Sequence, residues 1–515
     1  MANKNLFPSA AKAPVTPTAI NEAGGTAYAF SDEHSLAQLV ATGCLNNVFY
    51  STAEEQASTI IRLAQTVQPA FLAKLAVYAR EKAYMKDSPA LLLAVLSTRD
   101  ITLFNKVASR VLDNGKMVRN FVQIMRSGAV GRKSLGEAPK RAVLNYLNSA
   151  NDNNLFRASV GNSPSLADII KMVHPKPAND TRAALYGYII GAKFDFSKLP
   201  KVVQDFENFK AKKTTVVPDV SFEMLTALNL TDSDWVNIAQ KASWTQTRMN
   251  LNTFARHNVF KDKKVTKIIA ACLSDKALIQ KSKVFPYQLM AAFLNVDSSV
   301  PTEVRNALQD AMEVAIDNVP TIDGKVFVFP DVSGSMSSPV TGHRAGSTTS
   351  MRCVDVAALV AASFLRKNPD TEVIPFDTRA HKTKLNSRDS VMTNATVLSQ
   401  FGGGGTDCAI PLTQVNDRGE SADLVIYVSD NESWFDSNYR QTKALSEWKR
   451  FKQRNPNARL VCIDLQPNTS TQVPDDKSVL NIGGFSDTVF DLISNFSKGG
   501  SSKEHWINSV NTIVI

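Results

Sequence analysis

The sequence predicts a multidomain α + α/β chain: a HEAT-like array of stacked helices through about residue 320, followed by a doubly wound, Rossmann-like α/β domain. Three observations point there. Apolar residues recur with helical spacing through most of the first 320 positions. From Gly324, short continuous apolar runs of the kind that strands buried on both faces require alternate with helical segments. Oxygen-bearing side chains cluster where those runs end, which is the edge at which open parallel sheets bind ligands.

The chain has 515 residues, enough for roughly two to four domains. Hydrophobic residues are 43% and charged residues 21%, ordinary values for a folded protein rather than a disordered or fibrous one. A Pro/Ala/Thr-rich start reads as a mobile arm over residues 1–25, leaving 26–320 for the helical array and 321–515 for the α/β domain. Phe71, Leu72, Leu75, Tyr78 and Ala79 lie on one helical face. Ser88 followed by Pro89 reads as an N-cap opening a helix through Ala90 to Leu96. Val304, Leu308, Ala311, Met312 and Ala315 mark another face after Thr302 as cap. No strict repeat period is visible, but arrays of degenerate helix pairs build broad surfaces suited to large ligands.

In the second part the spacing predicts strands at Val326–Phe329, Thr371–Phe376, Leu424–Val428 and Leu460–Asp464, with helices at Val354–Leu365 and Gln441–Phe451.

Several function classes are excluded or weakened. Cys44, Cys272, Cys353, Cys408 and Cys462 are scattered without a Cys-x-x-Cys pair, so they read as reduced packing residues. Six histidines show no His-Glu-x-x-His. No apolar run approaches the ~20 residues that span a bilayer, and the N-terminus has no apolar signal core, which predicts a cytoplasmic protein without membrane contact. Gly128–Ser134 and Gly342–Ser350 lack the G-x-x-x-x-G-K-[ST] spacing of a nucleotide loop, which argues against an ATPase.

Charge is unevenly divided. Residues 1–320 hold 38 Lys and Arg against 27 Asp and Glu, whereas residues 321–515 hold 20 against 21, so the whole net charge of +10 belongs to the first part. Residues 101–150 alone carry 9 basic against 2 acidic side chains. Arg126, Arg132, Lys133, Lys140 and Arg141 are interleaved with Gly128, Gly131, Gly136 and Pro139, which predicts a basic loop able to follow a phosphate backbone. The alternative is a helical face kept soluble by its cations.

The strand Val326–Phe329 runs into Asp331-Val-Ser333-Gly-Ser335; Gly402–Gly405 precedes Thr406 and Asp407; and Asp430 ends the second buried strand. Carboxylates, hydroxyls and room for water describe a hard-cation site, Mg2+ above all. Asp-x-Ser-x-Ser alone also occurs in surface turns; its conjunction with strand ends and a glycine turn favours the cation.

Assembled, these stretches resemble the Ro autoantigen family, a TROVE domain of HEAT-like repeats followed by a von Willebrand factor A domain. Asp331-Val-Ser-Gly-Ser-Met, Gly404-Gly-Thr-Asp-Cys, Asp430-Asn-Glu and the block from Gly484 to Phe496 look like the successive A-domain motifs. His174-Pro-Lys-Pro, Arg248-Met-Asn-Leu and Phe285-Pro-Tyr-Gln match weaker helical-domain stretches. The resemblance implies a ring that binds Y RNA on a basic outer surface and takes single-stranded ends of misfolded noncoding RNA into its hole. It also implies tethering, through the RNA, to an exoribonuclease, polynucleotide phosphorylase. It maps a metal-ion-dependent adhesion site onto Asp331, Ser333, Ser335, Thr406 and Asp430, and an RNA surface onto Lys140, Arg141, His174 and Lys176, to which charge alone adds Arg126, Arg132 and Lys133. Pro330 and the run of four glycines depart from the family pattern. His174 is equally readable as a buried, hydrogen-bonded histidine.

The expected function is therefore a non-catalytic RNA-binding scaffold for noncoding RNA quality control. The alternative is a metal-dependent protein-binding adaptor working through the A domain. A magnesium-dependent nuclease has thin support, since Asp407 is the single further acid beside the cation motif and paired-metal chemistry needs more.

Overall fold

The structure, a computed structural model, describes residues 16–282, 284, 286–317, 319–343, 351–433, 441–484, 488–499 and 505–515. Residues 1–15 of the expected arm, Phe285, residues 344–350 and residues 485–487 of the terminal block lie outside the described set. Two compact units result: Met1–Leu39 with Asn46–Ala53 and Ile316–His505, and Val40–Leu45 with Glu54–Ala315 and Trp506–Ile515.

The helical unit starts from local signals that hold. Pro69–Glu81 forms the expected helix and buries Phe71, Leu72, Leu75 and Ala79. It packs on Ser88–Arg99, whose residues Ser88 to Ser97 are all buried, as an apolar helix at the centre of an array must be. Ser88 is the first helical residue rather than the cap; its hydroxyl donates to Val40 O at 2.8 Å. Asp100 caps Ile101–Val111 by accepting from Leu103 N at 2.9 Å, and Asn114 caps Gly115–Ser127 through Met117 N at 3.1 Å. Gly115–Ser127 ends on Gly128 at φ 88°, a left-handed stop that glycine reaches without Cβ strain. Thr302–Ala315 forms as expected and packs on Lys263–Ser274.

The α/β unit holds eight strands among the described residues: β1 Ala19–Ile20, β2 Thr26–Ala29, β3 Val326–Pro330, β4 Thr371–Val373, β5 Leu424–Ser429, β6 Arg459–Asp464, β7 Ser470–Thr471 and β8 Val479–Gly483. β3, β4, β5, β6 and β8 form one parallel sheet in the order β4-β3-β5-β6-β8. Helix Cys353–Lys367, buried from Cys353 to Leu365, lies on β3, β4 and β5. Phe327, Phe329, Val425, Tyr427 and Leu460 join Leu412, Trp448 and Phe451 of helices Ile410–Asp417 and Lys443–Arg454 in one core cluster. Each such large side chain contributes about 1.5–3 kcal/mol by leaving water, and a sheet with apolar runs needs this cover on both faces.

Composition predicts an arm through residue 25, but β1 and β2 pair antiparallel and β2 pairs with β7 through Tyr28↔Thr471 and Ala29↔Ser470. Strands this short carry no periodicity to detect. β8 also escapes the pattern because Asn481 interrupts its apolar run; that side chain is buried and satisfied, donating to Val473 O at 2.9 Å and Asp475 Oδ1 at 2.8 Å.

Candidate cation site and basic surface

From β3 the chain passes to β4 on one side and then returns across β3 to β5 on the other. The β3–β5 boundary is thus the switch point of the sheet, where diverging connections leave a crevice beyond the strand ends. Phe329 pairs with Tyr427 and Pro330 with Val428, so Asp331 and Asp430 emerge from neighbouring strands at nearly the same level. Pro330 offers no N–H, but its carbonyl still accepts from Phe376 N at 3.1 Å.

Asp331 is held by two donors: Ser333 N gives to Oδ1 at 2.8 Å and Ser429 Oγ to Oδ2 at 2.6 Å. The hydroxyls of Ser333 and Ser335 are 3.2 Å apart, and Ser335 also hydrogen-bonds Asp430. Gly334 N donates to Gly404 O at 3.0 Å, which docks the glycine run on the serine turn. Gly404 has φ +85° and a Cβ there would stand 3.1 Å from Asp377 Oδ2, so this loop follows its path only with glycine. Two residues on, the Thr406 carbonyl accepts from Ser433 Oγ at 3.4 Å. All five predicted oxygen residues are buried, Asp331 and Asp430 at 0% and 1% exposure and Ser335 the most open at 6%.

Sequence reasoning missed four further groups. Ser429 orients Asp331; Glu432 and Asp464 add buried carboxylates; and Tyr50, from a distant segment, has its acidity suppressed first by burial and then by the Asp430 carboxylate. Among the described residues no Lys, Arg or His forms an ion pair with Asp331, Asp430, Glu432 or Asp464. Burial, with the Asp430 carboxylate beside it, pushes Asp331 up to about 7 against the opposing bonds from Ser333 and Ser429. Burial raises Asp430 as well, and burial plus Asp430 lifts Glu432 to about 8. Asp464 is raised by burial, then by Glu432 and Asp430. Buried carboxylates without a countercharge are costly, and a divalent cation would supply that charge. No three His, Cys, Asp or Glu side chains converge on one point among the described residues, so an ion here would rest on serine and threonine oxygens and water as much as on carboxylates. Asp407 is otherwise engaged: Oδ1 accepts from Ala409 N at 3.0 Å and Oδ2 lies 3.6 Å from Lys443 Nζ.

The seven residues of the basic surface are all exposed. Arg126 is in the last turn of Gly115–Ser127, Arg132 and Lys133 stand in the following loop, and Lys140 and Arg141 are helical, in the opening turns of Glu137–Ser149. The predicted basic loop is thus a loop flanked by two helix ends, because Pro139 is tolerated inside the first turn. His174 is not buried; it ends Leu166–Val173 in the left-handed region at φ 50°, with exposed Lys176 two residues on. Leu166–Val173 packs on both helices flanking the loop, so the two stretches of sequence meet on adjoining elements. Among the described residues only Arg141 of the seven is in an ion pair, with Glu137 at 3.4 Å. That pair is exposed and contributes little.

A family model, the Ro60 vWA domain, matches residues 325–497. These residues are thus similar to the von Willebrand factor A domain of Ro60. The family resemblance seen in the motifs is borne out over the rest of the chain too. A Deinococcus radiodurans protein described as "RNA-binding protein RO60" is 23% identical over 93% of this chain and 95% of its own length. A Caenorhabditis elegans protein of the same description is 22% identical over 46% of this chain and 37% of its own length. The crystal structure of the Deinococcus radiodurans Ro (Rsr) protein superposes with a TM-score of 0.62 at 18% identity, covering 91% of this chain and 100% of that one. The fold is therefore that of Ro: a helical region followed by a vWA domain with a five-stranded parallel sheet. Among the described residues no helix is long and apolar enough to cross a membrane.

Proposed function

We propose that this chain is a non-catalytic RNA-binding scaffold of the Ro type. Its exposed cations around Arg126–Arg141 and His174–Lys176 would hold Y RNA or a Y-RNA-like small RNA, and the helical unit would also take loose ends of misfolded noncoding RNA. An exoribonuclease of the polynucleotide phosphorylase kind would be recruited through that RNA. The observation that carries the reading is the basic excess of residues 1–320, which surfaces at these positions largely free of acidic partners. The names of the two relatives support it. Crosslinking this protein to RNA in cells, sequencing the RNA and mapping the crosslinked peptides tests it. Crosslinks within 126–176 to small structured RNAs are expected, and crosslinks absent from that region would overturn it.

A second activity is proposed for the vWA domain: Asp331, Ser333, Ser335, Thr406 and Asp430 would hold Mg2+ and make a cation-dependent protein contact. The uncompensated buried carboxylates favour it. EDTA separates the two activities, since protein partners should leave while phosphate-dominated RNA binding persists.

A further inference from the structure

Helices Ile101–Val111 and Glu137–Ser149 pack on each other in the helical unit and leave a cavity of about 460 Å³ between them. Small-ligand sites run from roughly 300 to 1,000 Å³. Asn105 and Ser109 on the first helix, and Arg141 and Asn145 on the second, line it at four-residue spacing, so each helix contributes one face. Buried Ala108 and Leu112 supply its apolar depth. Tyr146 and Asn154 complete the wall, and both also line a second cavity of about 380 Å³ that holds Lys116. The Tyr146 hydroxyl belongs to that second side, since a Cβ on Gly115 would stand 3.4 Å from it. The larger cavity therefore meets the ring. Among the described residues, the side chains of Asn105, Asn145 and Asn154 make no hydrogen bond within the protein. The acid of the cavity, Asp113, is already neutralised, because Arg80 Nε and Nη2 donate to its two oxygens at 3.0 and 2.8 Å.

We infer that this cavity is a nucleobase subsite: one base splayed out of a single-stranded RNA segment enters it, while the phosphates on either side of that base lie against Arg141 and Lys116. The inference deepens the RNA reading above and rests on it. Proteins recognise single-stranded RNA by stacking its bases on aromatic rings and hydrogen-bonding their edges, and this cavity joins a ring and an apolar depth to three amides that both donate and accept. Adenine fits best. An asparagine carbonyl accepts from its exocyclic amine while the side-chain NH2 donates to a ring nitrogen. Position decides for RNA over a free small molecule. Arg141 is part of the exposed basic surface, and Lys116, exposed and in no ion pair among the described residues, lines the cavity on the other side of Tyr146. Even with Arg157 engaged by Asp219 at 2.7 Å, Lys116 and Arg119 outweigh Glu223 in that second cavity, so its charge also favours phosphate.

The test uses the full-length protein, a short single-stranded oligoadenylate, and an oligomer of the same length in which the riboses carry no base. Fluorescence anisotropy across a salt series reads affinity and salt slope for wild type, for Asn105→Ala combined with Asn145→Ala, and for Ser109→Phe, which fills the cavity. Asn105, Asn145 and Ser109 are exposed, so the fold tolerates these changes. Wild type should bind oligoadenylate about tenfold more tightly than the abasic oligomer, within what one stacked base contributes. Both variants should lose that preference and keep the wild-type salt slope, because no phosphate contact has been removed. Equal oligoadenylate affinity in wild type and both variants, or an equal loss for the abasic oligomer, would overturn the subsite and leave the RNA reading standing. So would a wild type that binds a small structured RNA but neither oligomer. A wild type that binds none of the three overturns the RNA reading and the subsite with it. Adenosine monophosphate that binds as tightly as the oligoadenylate would make the cavity a free-nucleotide site and overturn its assignment to RNA.

Discussion

Ser429 Oγ donates to Asp331 Oδ2 at 2.6 Å, joining the last residue of β5 to the first residue beyond β3. The bond fixes the carboxylate at the point where the two strands diverge and leaves Oδ1 to Ser333 N. Hydrogen bonds to charged groups contribute about 1.5–3 kcal/mol. Ser429→Ala should therefore weaken Mg2+ binding by roughly tenfold or more on that scale, while Ser429→Thr should retain it. Calorimetric titration of both variants checks this, and equal Mg2+ affinity in Ser429→Ala and wild type would show that the hydroxyl does not position Asp331.

A filled site should stabilise the vWA domain by mass action. At a hundredfold excess over the dissociation constant, binding adds about 2.7 kcal/mol. Mg2+ should raise the Tm of wild type, EDTA should reverse the rise, and Asp331→Ala should respond to neither. A wild-type melting curve indifferent to Mg2+ and Mn2+ would count against the cation assignment.

If about six phosphates are neutralised, RNA affinity should fall by roughly 10³ between 50 and 200 mM salt on duplex-like slopes. The double change Lys140→Ala with Arg141→Ala should lower affinity and flatten that slope, with little effect on stability, because both side chains are exposed and Arg141 has only its Glu137 pair. Filter-binding titrations across the salt range read both quantities. Binding that barely changes with salt would remove phosphate contacts as the main force.

The elements legible in the sequence are those whose burial is complete. Val326–Phe329 and Leu424–Val428 read as strands because a central parallel strand tolerates no polar side chain on either face, and both are buried throughout. That the Asp331 turn and Asp430 come to neighbouring strand ends was legible because they follow those strands directly. Pairings across hundreds of residues were not readable. β2 joins β7 through two residue pairs, and the turn at Asn46 and Asn47 meets 341–343 through backbone and amide groups, which any sequence can supply. Glu432 was visible in Asp430-Asn-Glu, but its burial beneath Ala23 N and Asn468 was not. His174 illustrates the reverse, since a histidine that ends a short helix in a left-handed turn is exposed by the turn rather than drawn inward.

His34 and Asp475 give the pH dependence a definite sign. His34 Nδ1 lies 3.9 Å from Asp475 Oδ2, and the imidazole stacks on Phe30 at 4.1 Å with His505 edge-on at 5.6 Å. Geometrically this is an ion pair, yet burial dominates both partners. It lowers His34 to about 4 against a bond from Gln38, and raises Asp475 to about 6 against its bonds from Asn481. As pH falls from about 6.5 towards 4, the unfolded chain protonates His34 while the folded chain does not, so this residue destabilises the fold progressively. Over nearly the same window Asp475 acts oppositely, because the folded chain takes up its proton first, near 6, and stability is gained as pH falls towards 3.8. Wild type should therefore show little net slope from this pair. His34→Leu should gain stability relative to wild type between pH 7 and 5, and Asp475→Asn should lose it over the same interval. Thermal melts of the two variants against wild type at pH 5, 6 and 7 check the crossing; parallel curves for all three proteins would mean that folding shifts neither group, and a His34→Leu variant that loses stability relative to wild type as pH falls would mean that the pair titrates as a charged bridge.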